Sequence, residues 1–210
     1  REGLVVPLKV SGHHVPRFSV GGTVTDLDSS APEGTEYLFF PGVYDLQPEG
    51  TGEYVDAQSA RAVVEDGAQG SSYETTHVTL EGSLNSQLRG EVLRAAQDAV
   101  QACGTLGRNA DQMCPSALRS SSLSVLEVTT LPSTLVSVND SGAYTGEDAV
   151  ITYQDPGSWL PDRHPHTLTL RPTMTVELSD AGVPVTDIDG KPVISVMLSI
   201  PSSSGDSPSS

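Results

Sequence analysis

The side chains best able to do chemistry in this chain are five histidines, two cysteines and a few closely spaced aspartates. His164-Pro165-His166 places two imidazoles two positions apart, and a strand would put both on one face. A metal would need a third ligand, and Asp162 is the nearest donor. Asp162, His164 and His166 therefore form the candidate polar site, although a polar loop entering a strand accounts for the same residues. His13 and His14 are neighbours, which on a strand point to opposite faces. Asp26-Leu27-Asp28 and Asp187-Ile188-Asp189 could offer carboxylates to calcium. A calcium loop supplies more oxygen ligands and a closing Glu, and Lys191 adds a competing charge, so ordinary turn chemistry explains both. No metal and no cofactor is expected.

Cys103 and Cys114 are the only cysteines, separated by the short stretch Gly104 to Met113. An even count at close spacing in a chain rich in Ser, Thr and Gly favours a disulfide, which would stabilise by roughly 3 kcal/mol in the chain-entropy description. Two buried thiols in a cytosolic protein are the competing reading. The spacing fits neither a zinc knuckle nor a thioredoxin-type redox pair.

Catalytic motifs of the nucleophile and phosphate-binding kinds are missing: the sequence holds no Gly-x-Ser-x-Gly, no Ser-x-x-Lys, no Walker loop and no dinucleotide fingerprint. Paired carboxylates for glycoside chemistry are defined by separation in space, but aromatic residues, which would stack on a sugar, make up only 5% of the chain. No catalytic residue is assigned, and the protein is not expected to be an enzyme. Asn139-Asp140-Ser141 matches a glycosylation sequon.

The elements that would position these groups are mostly strands. Short apolar or alternating runs lie at 4–10, 17–25, 37–40, 43–46, 57–65 and 75–80, with Gly21-Gly22 read as a bulge and Asp28 to Gly34 as a turn cluster. Pro41-Gly42 sets a turn between two of them. The period then changes. Leu84, Leu88, Val92, Ala96 and Val100 recur every four residues, one face of an amphipathic helix over 84–103, capped by Asn85 or Ser86 and ended by Gly104. Period two returns from Ser122, with strands at 123–128, 134–138, 149–153, 166–171, 174–178 and 194–200. Asp189-Gly190 marks a tight hairpin turn. The fold class expected is α+β and β-rich: a β-sandwich-like module over 1–82, then a helix plus curved antiparallel sheet over 83–200. Residues 201–210 read as a disordered Ser/Pro tail.

With 27 acidic and 11 basic residues, the net charge is −16 in 210 residues. That charge repels nucleic-acid phosphates and anionic membrane surfaces. No run of apolar residues is long enough to span a bilayer, and no signal-peptide pattern opens the chain. Any export signal or membrane anchor is therefore expected to lie outside the sequence.

Three features together resemble a group of actinobacterial envelope proteins with one transmembrane helix and an ectodomain of small modules. Phe40-Pro41-Gly42-Val43-Tyr44 is similar to that group's Leu-Pro-Gly-Thr-Tyr strand turn. The amphipathic helix 84–103 and the pairing of Cys103 with Cys114-Pro115 continue the likeness over about residues 35–200. The chain departs in having Val43 in place of Thr and no aromatic after Pro115. The resemblance implies an NTF2-like second module and carries no catalytic residue. It implies an ectodomain on the extracellular or periplasmic side of the envelope, binding an envelope protein or a cell-wall polymer. A structural or adhesive surface module, and a small-ligand pocket or hydrolase in the second module, are the alternatives.

Overall fold

The structure, a computed structural model, describes residues 5–31, 33–65, 76–105, 113–119, 123, 125–154 and 164–201. The chain divides into two compact units, residues 1–88 with 178–192 and residues 89–177 with 193–210. The expected fold class is what is observed: a β-rich chain with a β module and a helix-and-curved-sheet module.

Among the described residues, eight strands build the first unit: β1 (Val6–His13), β2 (Arg17–Val20), β3 (Thr23–Asp26), β4 (Thr35–Phe39), β5 (Gly42–Glu49), β6 (Val55–Ala57), β7 (Ala60–Val64) and β8 (Thr76–Leu84). They form two four-stranded sheets, ordered β4-β1-β8-β6 and β3-β2-β5-β7. Alternation decides which side chains meet between them. Val6, Leu8 and Val10 of β1 point inward with Phe18, Leu46, Ala62, Val64 and Leu80, and these form one apolar core. Phe18 packs edge-on against Tyr37, and Phe39 against Tyr44.

Pairing departs from the simplest reading at two places. Gly21-Gly22 is not a bulge: Val20 pairs with Thr23, and both glycines have positive φ, 56° and 85°. This is the two-residue hairpin turn whose twist matches the flanking strands. The strands on either side of Pro41-Gly42 do not pair with each other. β4 pairs with β1, whereas β5 pairs with β2 and β7, so the chain passes from one sheet to the other.

Helix α1 (Ser86–Cys103) is the α-helix among the described residues. Asn85 caps it, its Oδ1 accepting from Leu88 N–H at 3.1 Å. Leu88, Val92, Ala96, Ala99 and Val100 are buried as the period-four stripe requires.

Strands β9 (Val125–Thr130), β10 (Leu135–Val138), β11 (Ala143–Gly146), β12 (Ala149–Gln154), β13 (His166–Val176) and β14 (Ile194–Ser199) form a curved antiparallel sheet ordered β10-β11-β13-β12-β9, with β14 on β13. β13 is continuous through Pro172. Its pairing to β12 ends at Leu170 and its pairing to β11 begins at Thr173, so on that side Pro172 falls between two ladders, while on the other it lies across from Leu198 of β14. The Cys103–Cys114 disulfide, with Cα atoms 5.5 Å apart, lies in this unit's core beside Leu118, Ile151, Leu170 and Leu198. The tail expected over 201–210 falls, but for Pro201, outside the described residues.

Three turns share one five-residue plan. In Asn139–Ala143, Ser179–Val183 and Asp187–Lys191, the first residue's N–H donates to the fifth residue's carbonyl, and the N–H of a glycine at the fourth position donates to the first carbonyl. The glycines Gly142, Gly182 and Gly190 have φ of 80°, 77° and 78°. The first side chain accepts a backbone N–H in each, as with Asp187 Oδ1 and Lys191 N–H at 2.9 Å.

Candidate functional site

Two of the three residues singled out for metal chemistry, His164 and His166, fall within the described residues. His164 and His166 are both exposed, and the His166 ring lies 5.4 Å from that of Tyr153. Asp162 lies outside the described residues. Among the described residues no three His, Cys, Asp or Glu side chains form a metal-binding group.

Two other places in the first unit are organised. The first is a cleft of 260 Å³ where the β1–β2 and β3–β4 connections meet the turn 179–183. His14 is its fixed point. Only 3% of the residue is exposed, its φ is +56°, and its Nδ1–H donates to the Gly182 carbonyl at 2.5 Å. Its Nε2 is buried without a hydrogen-bond partner. The left-handed backbone brings the His13 and His14 ring centroids to 4.1 Å, closer than the opposite faces of a regular strand allow. Asp28, on the rim, accepts from the Ser30 hydroxyl at 2.6 Å and the Ser30 N–H at 2.9 Å. Those two bonds, the hydroxyl foremost, hold its carboxyl below the ordinary aspartate range. These polar contacts of the cleft hold loops in place: His14 fastens one turn and Asp28 shapes another.

The second place is the outer face of sheet β4-β1-β8-β6. Inward alternation of Val6, Leu8 and Val10 forces Pro7, Lys9 and Ser11 outward. On β4 the inward pair is Tyr37 and Phe39, which leaves Glu36 and Leu38 outside. Pro7 lies directly across from Leu38, and Lys9 from Glu36. The face is thereby sorted by polarity. At one end Leu38 and Phe40 are 67% and 60% exposed, with Val5 also in solvent. At the other, Ser11 hydrogen-bonds His77 and Thr79, both at 3.1 Å. Lys9 meets Glu33 at 3.8 Å. Two large apolar side chains so open to water on adjoining positions are a feature of interaction surfaces.

A sequence signal for this face existed. Tyr37-Leu38-Phe39-Phe40 is an unbroken apolar run, and a strand buried on one side must expose every second member.

The second unit carries hollows of 480 Å³, lined by Met113, Cys114, Pro115, Arg119 and residues 196–198, and of 330 Å³ beside Asp148 and Arg171. Arg171 donates to both Asp148 oxygens, at 2.7 and 2.9 Å, which lowers the carboxyl pKa and raises that of the guanidinium.

Compared with protein-family models, curated proteins and solved structures, the chain matches none.

Proposed function

We propose that the chain is a non-catalytic ectodomain on the extracellular or periplasmic side of the cell envelope, binding another envelope protein or a wall polymer. The observation that carries this reading is the apolar end of the β4–β1 face, where Leu38 and Phe40 stand in solvent with Val5. The Cys103–Cys114 disulfide fits an oxidising compartment. Among the described residues no helix is long and apolar enough to cross a membrane, so attachment would come from an anchor elsewhere in the protein. The resemblance to actinobacterial envelope proteins, with an NTF2-like second module, belongs to the same proposal.

The test is cross-linking in place. Phe40 is replaced by a photoreactive phenylalanine analogue in cells of the source organism, with the same analogue at exposed His166 as control. An adduct to an envelope protein or wall polymer from position 40 alone is the expected result. Equal labelling from both positions, or none from position 40, overturns the reading.

A further inference from the structure

We propose that β4 takes up an extended peptide segment of the partner as an added strand, and that this segment carries apolar and basic side chains in the order that matches Phe40, Leu38 and Glu36. The inference rests on the binding role proposed above and specifies its chemistry.

β4 is a sheet edge: β1 pairs with one side, and no described strand pairs with the other. An edge strand presents alternate N–H and C=O groups ready for pairing. Proteins usually blunt such edges with charged side chains, lysine above all, with proline, or with a bulge. Thr-Glu-Tyr-Leu-Phe contains neither lysine nor proline, its pairing with β1 runs without a register shift, and its single charge, Glu36, is one that a basic partner side chain would neutralise. Among the described residues no strand takes this edge, and the face beside it is apolar, so one added strand would use both.

Charge selects the occupant. At its start β4 carries exposed Glu36, next to Glu33, whose side chain is 90% exposed, with Lys9 as the neighbouring cation. Asp26 and Asp28 lie just upstream. A second copy of this chain would bring another −16 and another Glu36 to that edge, which like-charge repulsion opposes. A segment with two apolar side chains opposite Phe40 and Leu38, and a lysine or arginine opposite Glu36, satisfies all three positions. Main-chain pairing would give affinity and the alternate side chains specificity, as in other strand-addition complexes.

The experiment titrates the isotopically labelled chain with two blocked peptides, Thr-Val-Thr-Val-Thr-Lys-Thr for antiparallel addition and Thr-Lys-Thr-Val-Thr-Val-Thr for parallel. One of them is expected to shift the amide resonances of residues 35–39 and slow their hydrogen exchange. Leu38→Glu, at an exposed position, is expected to weaken that binding at least about tenfold while leaving the remaining spectrum unchanged. Replacing the peptide lysine by glutamate is expected to abolish it. Shifts confined to other strands, equal binding of the glutamate peptide, or no shift with either peptide overturns the proposal. So does a concentration-dependent dimer of the chain that Leu38→Glu dissociates, which would make a second copy the occupant. A cross-link from position 40 without peptide binding at β4 would leave the envelope role standing and remove strand addition alone.

Discussion

His14 Nδ1 donates to the Gly182 carbonyl, joining residues 168 positions apart in sequence within one folded unit. A second bond, from the Tyr54 hydroxyl to the Gly190 carbonyl at 3.2 Å, fastens the next turn of the same arm. The arm 178–192 is thereby pinned once per turn, and each pin uses the carbonyl of a left-handed glycine.

The two glycines should respond differently to substitution. A methyl at Gly182 would stand 2.6 Å from His14 Nδ1, whereas a methyl at Gly190 meets nothing within 4 Å. Both positions carry the backbone penalty of positive φ, about 1 kcal/mol. Gly182→Ala is expected to lower the urea-unfolding free energy by clearly more than Gly190→Ala. Equal losses would show that the imidazole moves aside freely.

Removing the disulfide tests how much the helix end depends on it. Replacing Cys103 and Cys114 by serine is expected to destabilise the folded chain by about 3 kcal/mol, from the entropy of the opened loop. Urea melts of oxidised wild type, reduced wild type and the double variant measure it, and the last two should nearly coincide.

Acid should release the Asp148–Arg171 pair. The Asp148 pKa is lowered in the folded state by the Arg171 hydrogen bonds, so the pair's stabilisation is complete above the unfolded value of about 3.9 and disappears as pH falls through the lower folded one. Glu147, lowered chiefly by the Ser133 hydroxyl, follows the same course. Asp148→Asn is expected to reduce the denaturation midpoint at pH 7, and its difference from wild type should shrink as pH falls below about 3.9.

The two faces of the β1–β4 ladder give a further contrast. Leu8 is fully buried, and Leu8→Ala is expected to cost about 2–5 kcal/mol. Leu38, on the outward side, should change stability by no more than about 0.5 kcal/mol when replaced by serine, while peptide binding at β4 falls. Thermal melts read against the peptide titration separate the two effects.

Much of the fold was legible because periodicity is local. The four-residue recurrence from Leu84 to Val100 marks the helix, and Asn85 and Gly104 mark its ends. Pairing was less legible, since it is decided between distant strands. Pro41-Gly42 looks like a hairpin turn, yet the strands on its two sides pair in different sheets. Gly21-Gly22 suits a bulge or a tight turn equally, and it is the pairing of Val20 with Thr23 that distinguishes them. β11 was not anticipated because Ala143–Gly146 holds a single large apolar residue, Tyr144. The His14 cleft was hidden for a related reason: the alternation rule assumes an extended backbone, which His14 does not have. The outward face of β4 could be read from the run Tyr37 to Phe40, but that no described strand pairs with its outer edge could not.

The discontinuity of the first unit bears on the order of events at the ribosome. The chain emerges from its N-terminus, so His14 and Tyr54 are made long before the carbonyls they bind. At about 5–20 residues per second, some ten to thirty seconds separate His14 from Gly182. During that interval the eight described strands of the first unit are made but its final arm is not, and β9 to β13 of the second unit are synthesised before residues 178–192, with β14 after them. A nascent chain stalled short of Gly182 thus lacks the carbonyl to which His14 Nδ1–H donates in the finished unit.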